Sequence, residues 1–114
     1  MSREWRLYLV DMQRFCNLII EYHGARDRQT LESDSLRYDA ILRNVELIGE
    51  AARNLPDEVR SRAPDVPWRA IVRVRNILAH MYFGVDRDAV WDIIAHEVPA
   101  LLTALKKLQD QIDA

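Results

Sequence analysis

Apolar residues recur at steps of three and four in several long stretches of the chain, the spacing of one face of an α-helix. From Glu4 to His23 the series is Trp5, Tyr8, Leu9, Met12, Phe15, Cys16 and Ile19. Arg6, Asp11, Gln13, Arg14 and Glu21 fall largely between these positions, and Gly24 follows as a terminator. This predicts a first helix whose aromatic and methionine stripe is core, with His23 at its end. Residues Ala25 to Asp34 are polar and aperiodic, a connection with room for one helical turn around Gln29 to Glu32. Ser33 or Ser35 is expected to cap the next helix. That helix spans Ser35 to Leu55, with Ile41, Val45, Ile48, Ala52 and Leu55 as a bundle seam. Gly49 in its middle weakens the helix relative to alanine, so a close helix crossing is expected there. Glu46 and Glu50 are four apart and repel unless paired. With no histidine within a turn they fit arginine partners, within the chain or across a dimer, better than a metal, with Arg43 or an arginine of the helix that follows Pro67 favoured.

Pro56 opens a short helix with Asp57 and Glu58 in its favourable first turn, ending near Ala63 and Pro64. Pro67 opens a helix predicted to run to about His80. Trp68, Ile71, Val72, Val74, Ile77 and Leu78 bury one broad side of it. Arg69, Arg73, Asn76 and His80 lie on another side, and Arg75 sits nearer the apolar boundary, where a charge fits an interface or a ligand better than open solvent. Phe83 to Asp86 reads as a turn, with Asp86 as the N-cap of a last helix from Arg87 to about Gln111. Val90, Trp91, Ile94, Val98, Leu101, Leu102, Leu105 and Leu108 form its apolar face. Pro99 removes one backbone donor, so a kink is expected near Ala95 to Glu97. His96 lies there as a surface or kink residue. The predicted architecture is all-α: an up-and-down bundle of four main helices with one or two additional short ones.

Composition narrows this picture. The 114 residues suit a single domain, 1–114, and only three glycines and four prolines argue against a turn-rich β fold. Cys16 cannot close an intrachain disulfide and sits among apolar residues, so it reads as a small core side chain. No targeting segment or membrane span is visible, which makes the cytoplasm the expected compartment and a membrane partner unexpected. No glycine-rich phosphate loop or zinc-type cysteine–histidine spacing occurs, so no cofactor or metal is expected. The formal net charge of −2 does not favour nucleic acid. Its distribution does: between Val59 and Gly84, Arg60, Arg62, Arg69, Arg73 and Arg75 stand against Asp65 alone. Such a patch can steer a phosphate backbone. Arg60 and Arg62 fit a solvated helix face equally well.

The chemistry gathers in Arg75-Asn76-Ile77-Leu78-Ala79-His80-Met81-Tyr82. Asn76 and His80, four apart, share a helix face. Arg75 and His80, five apart, are separated by roughly 140° on a straight helix. They meet only if the backbone turns near His80, or if a two-fold axis sets two copies of the segment against each other. A histidine near a helix C-terminus also serves simply as a cap or dipole partner. A pair of such segments would offer an imidazole base, an imidazole acid and guanidinium forks for phosphate oxygens. Those groups suffice for attack by an RNA 2′-hydroxyl on its own phosphodiester without a metal.

Arg75, four residues, His80, one residue, Tyr82, with Asn76 directly after the arginine, resembles the signature of the HEPN superfamily, and more narrowly the HepT-like toxins paired with minimal nucleotidyltransferase (MNT) antitoxins. Arg43 to Ala52 resembles that family's second-helix block, and Val66-Pro67-Trp68-Arg69 the entry to its motif helix. Tyr82-Phe83-Gly84-Val85-Asp86 with Val90-Trp91 resembles the exit and last helix. The four blocks, in the family's order, cover about residues 5 to 105. The resemblance implies a homodimeric, metal-independent endoribonuclease, the toxin of a type VII toxin–antitoxin system, dimerising through the motif helix region. Arg75 and His80 would be catalytic and Asn76 supporting, with Arg69 and Arg73 as RNA-phosphate contacts. Tyr82 would be the hydroxyl to which the antitoxin transfers AMP. The alternative within the same superfamily is a non-catalytic module that scaffolds a nucleotidyltransferase partner.

Overall fold

The computed structural model describes residues 4–84 and 86–114, with the backbone alone for Tyr82. The described residues form an all-α, up-and-down bundle. Helix α1 spans Glu4–His23 and buries Trp5, Leu9, Met12, Phe15, Cys16 and Ile19, the stripe its periodicity predicts. Gly24 ends it in the left-handed region at φ +54°, a conformation glycine adopts without steric cost. The short α2, Arg28–Ser33, drops Leu31 into the core and is capped by Asp27, whose side chain accepts from the Thr30 N–H. Helix α3, Ser35–Arg53, is the central element and packs on α1. Neither serine expected to cap it does so. Asp34 accepts from the Arg37 backbone N–H at 3.2 Å, and Arg37 Nε reaches the same carboxylate at 3.1 Å. A carboxylate at that position outcompetes a hydroxyl because it adds charge complementary to the helix N-terminus. The Arg37 N–H bond and then the guanidinium hold the Asp34 carboxyl below its ordinary range.

After α4, Asp57–Arg60, the chain turns into α5, Trp68–Val72, and α6, Val74–Tyr82. The indole N–H of Trp68 donates to the carbonyls of Arg60 and Ala63, both at 3.0 Å, and fixes where α5 starts. The single motif helix expected from Pro67 to His80 is thus two helices. They break at Arg73, with φ −90° and ψ 5°. Its N–H is shared between the Arg69 and Ala70 carbonyls, and its own carbonyl accepts from Asn76 three residues on. The break lies at a tight crossing with α3. A Cβ on Gly49 would stand 2.9 Å from the Ile71 carbonyl oxygen and 2.9 Å from Val74 Cγ1. Gly49 therefore marks the close crossing its sequence position predicts.

The last element begins as α7, Arg87–Asp92, passes through a π-helical turn at Ile93–Glu97, and continues as α8, Val98–Asp113. The kink expected from Pro99 takes this form. Pro99 has no N–H for the regular ladder, and the Val98 N–H instead reaches five residues back to the Ile93 carbonyl. Val90, Ile94, Val98, Leu102, Leu105 and Leu108 are buried against α1 and the rest of the core. Cys16 is buried there too, and burial pushes its thiol up to about 12, which makes it core rather than nucleophile. No helix among the described residues is long and apolar enough to cross a membrane.

Candidate active site

The bundle presents α6 with its apolar side inward and its chemistry outward. Val74, Leu78 and Met81 are buried, while Arg75, Asn76 and His80 are exposed. Crossing at Gly49 lays the start of α6 beside the middle of α3, which brings Arg75 to Glu46 and Glu50. Arg75 Nη1 donates to Glu50 Oε1 at 3.4 Å, and its Nε stands 3.9 Å from Glu46 Oε2. Arg43 Nη1 takes the other Glu46 oxygen at 2.9 Å. The two carboxylates expected to find arginines on their own helix or on the motif helix find both. The Arg75 side chain remains 59% exposed, and exposed pairs of this kind are worth about 0.2–1 kcal/mol. Turning Arg75 toward a phosphate therefore costs little.

His80 lies in the last turn of α6. Its Nδ1 is 3.0 Å from Oδ2 of Asp86, and its side chain is 63% exposed. A carboxylate only accepts, so Nδ1 is the donor. Asp86 reaches it because the chain reverses after Tyr82. Gly84 takes φ +80° and Asp86 itself takes φ 58°, both left-handed. Asp86 does not cap α7 with its side chain as its sequence position predicts. It holds the N-cap position of α7, but its side chain makes no capping hydrogen bond and is turned to His80 instead. Six residues separate the two, outside any helical spacing. The one sequence signal was Gly84, whose reversal folds residue 86 back along the end of α6. Arg28 Nη1 to Asp88 at 2.6 Å and Arg87 Nη1 to Glu32 at 3.8 Å tie the start of α7 to α2, so the reversal is anchored from outside.

Other expected site residues are placed as follows. Arg75 and His80 engage different carboxylates, and no hydrogen bond joins them within the chain. The Asn76 side chain is exposed with no hydrogen-bond partner among the described residues. Arg69 and Arg73 are exposed, on α5 and at the break, and neither makes an ion pair with a described residue. Tyr82 closes α6, but its side chain lies outside the described residues, as does Val85 of the exit block. Arg60 is bound to Asp57 in its own short helix and is half-buried. His96 pairs with Asp92 at 2.9 Å, four residues before it, as a surface histidine. Among the described residues no group of three or more His, Cys, Asp or Glu side chains is placed to hold a metal ion. An apolar groove of about 380 Å³ runs beside this region, lined in part by Ile48, Val66, Ile71, Val74, Ile77 and Leu101.

A helical bundle that carries a carboxylate-oriented imidazole and a releasable arginine on one short helix has the parts to bind a phosphodiester and move its protons. The sequence comparisons agree in class. The chain belongs to the ribonuclease HepT-like family of the HEPN superfamily, whose pattern matches residues 12–108. It is 33% identical over 109 residues to "Probable ribonuclease HepT" of Thermococcus cleftensis, covering 96% of this chain and 99% of that one. It is 36% identical over 101 residues to "Putative RNase MJ1380" of Methanocaldococcus jannaschii, covering 88% and 92%. A longer protein of the same archaeon, "Gamma-glutamylcyclotransferase and putative RNase MJ0434", is 31% identical over 113 residues. This chain spans 51% of that protein's length. No solved structure matches the chain.

Proposed function

We propose that this protein is a metal-independent endoribonuclease, the toxin of an HEPN/MNT pair, which cuts RNA by attack of a 2′-hydroxyl on the adjacent phosphodiester. The observation that carries the reading is the exposed His80, held at Nδ1 by a carboxylate, on the same nine-residue helix as the exposed, loosely paired Arg75. In the reaction one His80 takes the 2′-hydroxyl proton and O2′ forms a bond to phosphorus. The bond from phosphorus to O5′ breaks, and a second imidazole gives the leaving oxygen its proton. Products are a 2′,3′-cyclic phosphate and a 5′-hydroxyl. Arg75, released from Glu46 and Glu50, binds the phosphoryl oxygens as charge builds in the transition state. Asn76, with its amide free, orients substrate beside them. Arg69 and Arg73 hold flanking phosphates.

The need for a second imidazole supports a homodimer. Arg75 and His80 are occupied by separate carboxylates within one chain, so a common cleft calls for a partner's α6 across a two-fold axis. The groove beside Val74 and Ile77 offers apolar surface for that contact. Silencing would come from AMP on the Tyr82 hydroxyl, which would add bulk and negative charge at the end of the helix that carries His80. The partner in this reading is an MNT nucleotidyltransferase, which would supply the AMP group.

The test is incubation of purified protein with RNA in the presence of chelator, comparing the parent with His80→Ala. Cleavage by the parent and its loss in the variant is the expected result. Parent protein that leaves RNA intact under all conditions, or a variant that cuts equally well, refutes the nuclease reading in favour of a scaffold for a nucleotidyltransferase. Tyr82→Phe should keep cleavage and abolish AMP labelling by the partner enzyme.

A further inference from the structure

We infer that Asp86 is a positioning residue for His80: its carboxylate selects the Nδ1–H tautomer of the imidazole and leaves the Nε2 lone pair free to accept a proton. Only the catalytic consequence rests on the ribonuclease reading; the tautomer does not.

Four observations converge on it. Asp86 sits where an aspartate ordinarily caps a helix, yet its side chain makes no bond to the α7 backbone. The residue adopts φ 58° and ψ 20°, a left-handed conformation that side-chain-bearing residues seldom take. Its Oδ2 stands 3.0 Å from His80 Nδ1. Finally, α7 is anchored to α2 through Arg28–Asp88 and Arg87–Glu32, independently of the Asp86 carboxylate. A side chain that gives up its cap, in an unfavourable backbone conformation, beside a turn that other groups already hold, is arranged for its partner.

The consequence follows from imidazole chemistry. A neutral imidazole in water divides between two tautomers, and the hydrogen bond made by one nitrogen decides the state of the other. With Nδ1–H committed to Asp86, Nε2 is an acceptor whenever the ring is neutral. His80 makes no second hydrogen bond among the described residues, so that lone pair is open. When Nε2 takes the 2′-hydroxyl proton, the imidazolium that forms lies against a carboxylate that stabilises it without taking the proton. The carboxylate also stops the ring from flipping, which would put the wrong nitrogen toward the substrate.

The test is Asp86→Gly, chosen because glycine tolerates φ 58° and no capping bond is lost with the side chain. Nitrogen-15 NMR of the imidazoles, recorded with the ring neutral, reads the tautomer without any RNA. The His80 signal is expected to be that of Nδ1–H in the parent and to move toward Nε2–H in the variant, with an unchanged thermal midpoint. With RNA, kcat should fall by about 10- to 100-fold with KM unaltered, a part of the ~10²–10⁴ that a general acid–base group contributes. A parent in the Nε2–H form, a variant with an unshifted spectrum, or a shifted spectrum with unaltered kcat each overturns the inference. A parent that cuts no RNA overturns the ribonuclease reading instead, and the spectra still decide whether Asp86 sets the tautomer.

Discussion

Gly49→Ala offers a sharp test of the packing that places α6, because two effects of opposite sign compete there. In a helix interior alanine is favoured over glycine by about 1 kcal/mol, so propensity alone predicts a more stable protein. The structure predicts the reverse. The added Cβ would stand 2.9 Å from the Ile71 carbonyl oxygen and from Val74 Cγ1, whereas carbon contacts settle at about 3.5–4.0 Å. Neither neighbour can yield by a simple rotation. The carbonyl is main chain, and Val74 is buried with a branched Cβ that restricts its rotamers. Overpacking of this kind costs about 1–3 kcal/mol, which outweighs the propensity gain and leaves a net loss of about 1 kcal/mol. For a domain of this size the thermal midpoint should fall by roughly 4 °C. Urea unfolding at one fixed protein concentration, which holds any self-association constant, measures it as a lower midpoint with the same slope. Val74→Ala removes one of the two obstacles, so the double variant should lose less than the sum of the singles. A Gly49→Ala protein as stable as the parent, or more so, would show that α3 and the α5–α6 junction are not in close contact, and the placement of Arg75 beside Glu46 and Glu50 would go with it.

Two further outcomes are expected. The Cys16 thiol is raised from 9.0 to about 12 by burial, so the folded state keeps its proton where the unfolded chain loses it. The contribution is complete below pH 9 and is lost as pH rises toward 12, at about 1.4 kcal/mol per unit. Cys16→Ala should flatten the alkaline fall in stability by that slope between pH 9 and 10.5 in urea titrations; identical slopes would refute it. Arg69→Gln and Arg73→Gln should each weaken RNA binding without base preference and reduce the magnitude of the log–log salt slope by about 0.7. An unchanged slope would place both arginines outside the RNA path.

The helices and their inward faces were legible because each buries a stripe at its own period. Trp5 to Ile19 in α1 is the clearest case, and Gly49 announced the crossing because a glycine in mid-helix needs a tertiary reason. The Glu46 and Glu50 pairing with arginines was legible too, since two like charges one turn apart call for compensation. What escaped was set by packing and by charged side-chain partners that the apolar period does not encode. The break at Arg73 has no proline or glycine to signal it; it arises where Ile71 and Val74 meet α3. Asp34 displaced the serines as cap because a carboxylate also engages Arg37. Asp86 followed a local rule, cap before helix, that a nearby histidine overrode.

The π-helical turn at Ile93–Glu97 has a consequence for how the last helix is threaded. Its buried residues Val90, Ile94, Val98 and Leu102 advance by fours. On a regular α-helix three such steps would carry the stripe about 120° around the axis, away from the core. The wider turn absorbs part of that drift, acting as a phase corrector between two apolar half-stripes. Straightening the turn into regular α-helix without removing a residue would leave the halves aimed in different directions. The bundle would then have to strand either Ile94 or Leu105 in water.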